Sequence, residues 1–192
     1  MKNTVIAASG LFLLVFSLFG VVYSCRTALG QSIYFLAKFR TPVEESQTIL
    51  GLCESAAQMC RNNYYVCILA AETAYKAGFT MPGEAASKKF TEARQWCDKG
   101  LALNPYRLPL RRLKTFLKAL TSVADAARYW EEFVEWQYWD AANHALLVDL
   151  YALSGQYEKA VDSLRLIKDT PYYREAALKL SEAWGREKDL PL

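Results

Sequence analysis

General acid–base and nucleophilic chemistry need a base that titrates near neutral pH, and this 192-residue chain has one histidine, His144. A lone histidine is most often structural. No H-E-x-x-H, G-x-S-x-G, Walker loop or dinucleotide fingerprint accompanies it. A nucleophile without a neighbouring base stays weak, so the chain reads as a non-enzyme that needs no cofactor or metal. Five cysteines stand at 25, 53, 60, 67 and 97, and none forms a C-x-x-C, which argues against zinc. They read first as small buried apolar side chains. The odd count allows a second reading. With Cys25 lipidated or in a membrane, four remain, and two disulfides become possible in an oxidising compartment. Cys53 and Cys60 cannot be one of them, because seven residues along one helix separate them by ~10 Å.

Two further groups have the types and spacing to bind something. Arg107, Arg111, Lys114 and Lys118 follow one another at intervals of four, three and four, which makes one basic stripe on a helix. Leu110, Leu113, Phe116, Leu117 and Leu120 form its apolar side. The stripe is either a solvated face, paired with Glu131, Glu132 or Glu135, or a surface for an acidic segment, a terminal carboxylate or anionic lipid. The aromatic run Tyr129-Trp130, Phe133, Trp136, Tyr138-Trp139 is too dense for one helix face. Trp130 and Phe133 suit a core. Trp136, Tyr138 and Trp139 are candidate exposed anchors for a partner.

The elements that must position these groups begin with a membrane address. No charge occurs from Asn3 to Cys25, and a helix of that length spans ~34 Å, enough for a bilayer core of ~30 Å. Three readings stand: a retained single-pass anchor, a lipoprotein signal in which Val22-Tyr23-Ser24-Cys25 resembles a lipobox, and an ordinary signal cleaved after Ser24. Lys2 lies on one side, and Arg26, Lys38 and Arg40 on the other. Those charges alone favour a cytoplasmic body, whereas the signal-like N-terminus favours an exported one, which is the reading preferred here. A chain starting at Thr41 is then expected to be soluble and helical.

The whole chain carries 23 Lys+Arg and 20 Asp+Glu, and residues 1–40 hold four of the bases and no acid. The rest is therefore close to neutral, which excludes a strongly basic nucleic-acid binder. Hydrophobic residues at 53% exclude disorder, and scarce Gly and Pro without Asn-Gly or Asp-Gly turns exclude a hairpin-rich β fold.

Periodicity predicts helices throughout: a short continuation over 31–39, then a helix that Thr41-Pro42-Val43-Glu44 starts as a capping box and that runs to about Arg61. The next runs from Tyr64 and stops at Gly78. Others are predicted at 84–103, 107–120, 123–138, 141–153, 157–168 and 172–184. The short breaks make successive helices antiparallel neighbours.

An internal repeat organises them. Phe90 precedes Ala93 by three residues, Val123 precedes Ala126 and Tyr157 precedes Ala160, with Cys97, Trp130 and Leu164 four further on. The alanines recur at intervals of 33 and 34. In the last unit Leu147, Tyr151, Gly155, Tyr157, Ala160, Leu164 and Pro171 complete a pattern that resembles the tetratricopeptide repeat (TPR), a 34-residue helix–turn–helix. Val148 departs from it, where the family prefers a small residue. The preceding unit lacks the turn Gly and terminal Pro. The first has about ten extra residues between Gly78 and Phe90.

The resemblance implies an all-α, right-handed superhelix of antiparallel helix pairs, with about three to four repeats. Residues 1–25 form the anchor or signal, 26–63 a degenerate leading pair, 64–171 the repeats and 172–192 a capping helix and tail. It also implies that Ala93, Ala126 and Ala160 sit buried at tight crossings. It places Cys67 and Cys97 facing each other within one repeat, the candidate disulfide. It puts the first helix of each pair, and with it the stripe at 107–118, along a groove for a protein partner. The function implied is a membrane-anchored scaffold or adaptor at the bacterial cell envelope. The alternatives are a structural accessory subunit of a larger membrane complex, or a non-catalytic helper of envelope polysaccharide or lipid assembly.

Overall fold

A computed structural model describes residues 2–42 and 44–185, with side chains described from Gly10 onward apart from Val43. The elements are α1 (Lys2–Phe39), α2 (Ser46–Met59), α3 (Tyr64–Thr80), α4 (Gly83–Leu103), α5 (Leu108–Ala119), α6 (Val123–Val134), α7 (Ala141–Leu153), α8 (Tyr157–Leu166) and α9 (Tyr173–Trp184). The described residues contain no strand. They fall into two compact units, Met1–Pro105 and Tyr106–Leu192.

Local chemistry sets most boundaries. Three residues that break the apolar pattern are N-caps, each accepting one of the amide protons that a helix start leaves unpaired. Asn63 accepts from Tyr65 N at 3.1 Å, Ser122 from Asp125 N at 3.2 Å and Asp140 from Ala142 N at 3.0 Å. Gly155, between α7 and α8, has φ +73°, where a Cβ would be strained.

Three boundaries differ from the sequence expectation. The capping box at Thr41 does not form. α1 runs without interruption to Phe39, and the Thr41 hydroxyl donates to Leu36 O at 3.2 Å, closing α1. α2 starts only at Ser46, and Val43 lies outside the described residues. α3 does not stop at Gly78 but continues to Thr80. That glycine is there for space: a Cβ on it would stand 2.5 Å from the Phe90 ring of α4. α6 ends at Val134, four residues early.

In the first unit α1 packs on α2, α2 on α3, and α3 on α4. Only the C-terminal part of α1 takes part. A Cβ on Gly30 would lie 3.0 Å from Met59 and 3.1 Å from Cys60, and Tyr34 and Ala37 are buried, while Leu11 to Tyr23 are largely exposed. α3 contributes Ala70, Ala71, Ala74 and Ala77 to the core, small residues that let helices approach closely. Ala93 of α4 is fully buried with them.

In the second unit α5 to α8 pack in sequence, and α9 covers α7 and α8. Trp130 and Phe133 form the centre with Leu147, Val148, Tyr151, Ile167 and Leu180. Ala126 and Ala160 are each 0% exposed. Replacing Ala160 by Leu inserts three carbons into a filled crossing and is expected to cost about 1–3 kcal/mol, read as a lower denaturant midpoint at unchanged slope. An unchanged midpoint would place Ala160 outside any tight crossing.

Candidate functional site

The first helices of the pairs in the second unit, α5 and α7, together with the terminal α9, line a cavity of about 560 Å³. Arg112 and Phe116 reach it from α5, four residues apart on one helix face. Ala142, Ala145, Leu146 and Asp149 come from α7, and Glu175, Ala176 and Lys179 from α9. Alanines on two of the three helices keep the wall low.

The cavity is polar at its edges. Lys179 Nζ donates to Asp149 Oδ2 and to Glu175 Oε1, both at 2.9 Å. These bonds, the Asp149 carboxylate first, hold the Lys179 ammonium above its usual range. Two atoms on the lining residues are buried without a hydrogen-bond partner: Arg112 Nε, a donor, and Asp149 Oδ1, an acceptor. Both atoms are covered by the surrounding side chains, so what the cavity presents to solvent is its charged edge of Asp149, Glu175 and Lys179 beside Phe116, Leu146 and the alanines.

The basic stripe lies on a different face of α5. Arg111 donates to the Tyr129 hydroxyl at 3.1 Å, and its guanidinium stands 5.3 Å from the centre of that ring. Lys114 and Lys118 approach the same ring at 5.5 and 5.3 Å. Tyr129, on α6, thus gathers three cations over its π-face. Arg107 stands at the N-cap position of α5. The cavity takes Arg112, one residue and about 100° of helix away from Arg111. The signal that finds it is same-face spacing on all three helices: 112 and 116, 142 and 149, 175 and 179.

Trp136, Tyr138 and Trp139 are all exposed, Trp139 by 81%. They sit in the turn between α6 and α7, which α7 holds. Asn143 Nδ2 donates to Gln137 O at 3.4 Å, and His144 Nε2 lies 2.7 Å from Tyr138 O. A carbonyl only accepts, so Nε2 carries the proton and His144 acts as a strut. These pulls divert the backbone after Val134 and turn the aromatics outward. Tyr106 packs on Trp136 with ring centres 5.7 Å apart.

Cys53, Cys67 and Cys97 are buried in the core of the first unit, and the structure holds no disulfide among the cysteines. Burial, then the nearby Cys67, pushes the Cys53 thiol up to about 12; burial also raises Cys67. Cys25 is exposed on α1, which passes through it as unbroken helix. Among the described residues no group of three His, Cys, Asp or Glu side chains is placed to hold a metal.

No protein-family model and no curated protein matches the sequence. Solved structures do match. A thermophilic TPR protein of Thermus thermophilus superposes with a TM-score of 0.62 at 12% identity, over 92% of this chain and 95% of that one. MamA of Desulfovibrio magneticus, as residues 41 to the end, gives 0.58 at 18% identity over 86% and 98%. YrrB, described as a TPR protein with an unusual peptide-binding site, gives 0.58 at 15% over 81% and 76%. At these identities the likeness concerns the backbone alone: the chain has an all-helical, TPR-like fold.

Proposed function

We propose that this chain is a membrane-anchored, non-catalytic TPR-like scaffold that holds a protein partner beside the membrane of a bacterial cell envelope. The observation that carries the reading is the cavity along α5, α7 and α9, with its charged edge of Asp149, Glu175 and Lys179 beside an apolar lining. Its occupant is a peptide segment that meets the charged edge of Asp149, Glu175 and Lys179 and whose apolar side chains rest on Phe116 and Leu146. YrrB, with its peptide-binding site on a similar backbone, supports the same class of partner. The exposed turn of Trp136, Tyr138 and Trp139 and the cations Arg107, Arg111, Lys114 and Lys118 are further contact surfaces on the same unit.

The anchor is residues 3–25, at the start of a helix long and apolar enough to cross a bilayer. The body is placed on the extracytoplasmic side, where Cys67 and Cys97 meet oxidising conditions and where Cys25 is the acceptor if the anchor is a lipid. A photo-crosslinking residue at Leu146, in the cavity, is expected to capture one discrete partner in native membranes; the same probe at exposed Glu158 on α8 is not. Equal capture at both positions, or none at Leu146, would overturn the groove as the binding surface.

A further inference from the structure

α1 joins the membrane segment to the folded body without a linker, so the depth of nearby residues in a bilayer follows from helix geometry. If the hydrocarbon core spans about 20 residues ending near Tyr23, the next turn or two of α1 lies among the headgroups. α2 returns to that level: its last residue, Met59, and its C-cap, Cys60, abut Gly30. A cavity of about 360 Å³ opens there, lined by Tyr23, Arg26 and Thr27 of α1 and by Arg61 and Asn62 of the turn before α3. It contains two arginines and no acid. Arg26 donates to Gln58 O at 3.0 Å, a bond that uses one of its five donors and fixes the guanidinium at the end of α2. Arg61 is exposed and has no hydrogen bond or ion pair among the described residues.

We infer that this cavity binds the phosphate of an anionic phospholipid headgroup. The inference rests on the membrane-anchor reading and adds a ligand to it. Two cations without a countercharge, in a recess between an interfacial tyrosine and a polar turn, complement a phosphate whose charge no choline offsets. Arg26 is pre-set by its bond to α2, and Arg61 lines the same recess from the turn before α3. The site would hold the body at one rotation about α1.

The test uses the full chain in nanodiscs of mixed phosphatidylglycerol and phosphatidylcholine, with native mass spectrometry counting the phosphatidylglycerol that leaves with the protein. The wild type is expected to retain it. Arg61→Gln should retain about fivefold less, the value of one cation near a charged bilayer surface, with circular dichroism unchanged; Arg61→Lys should retain most of it. Equal retention by Arg61→Gln in an inserted chain would overturn the site and leave the anchor standing. A chain that does not enter nanodiscs would overturn the anchor and the lipid together. Binding of inorganic phosphate alone, in detergent, as tight as that of phosphatidylglycerol would assign the cavity to a free anion and overturn the lipid.

Discussion

A chain that begins at Thr41 is expected to lose the fold of its first unit, whereas one that begins at Ser24 keeps it and, with residues 3–25 as the proposed anchor, leaves the membrane. The sequence alone points the other way, because residues 31–39 read as a short amphipathic continuation and Thr41-Pro42-Val43-Glu44 as a fresh helix start. In the structure that stretch is half of the first helix pair. Tyr34 and Ala37 are buried, Gly30 lies against α2, and Ala37 and Ile49 line one cavity together with residues of α3. Removing α1 takes its cover from α2 and strips Tyr34 from the core. At about 1.5–3 kcal/mol for each large apolar side chain returned to water, losing two or three reaches the ~5–15 kcal/mol that holds an ordinary domain together. Circular dichroism and limited proteolysis decide between the outcomes. The Thr41 form should lose helical signal and be cut within residues 46–103. The Ser24 form should melt cooperatively and stay in the supernatant after an alkaline wash that leaves the full chain in the pellet. A resistant Thr41 form would mean that α1 packs on α2 without stabilising it.

The second large effect belongs to Trp130. It is the largest fully buried side chain, stands 5.0 Å from the Phe133 ring centre, and donates its indole N–H to Asn143 O at 3.0 Å. Trp130→Ala removes the centre of the second unit and leaves a buried carbonyl without its donor. Together these should cost about 3–5 kcal/mol, enough to unfold much of the unit at 37 °C. Trp130→Phe keeps most of the volume and loses the hydrogen bond, for an expected ~1–2 kcal/mol. Urea unfolding of the two variants separates packing from bonding. Equal losses would assign the whole effect to the bond. The α6–α7 turn should loosen in both, because Asn143 also holds Gln137, and hydrogen exchange over 135–140 would report it.

What the sequence determined by itself is the part of this protein that short-range chemistry controls. Asn63, Ser122 and Asp140 each satisfy an amide two or three residues away, so those helix starts are written locally. The repeating alanines were legible because a close crossing excludes larger side chains wherever it recurs, and all three are fully buried. The TPR-like fold follows from that recurrence. What the tertiary structure decided depends on neighbours far along the chain. Gly78 reads as a helix stop until Phe90, twelve residues on, takes the space that its Cβ would need. The aromatic turn exists because Asn143 and His144 pull carbonyls away from α6. The role of α1 changes at Gly30 because α2 covers it there. The groove takes Arg112 rather than its neighbour Arg111 because Tyr129 of α6 engages the adjacent face. Each of these outcomes turns on which of several compatible surfaces another helix covers, a choice made by packing across the unit and invisible in the spacing of any one helix.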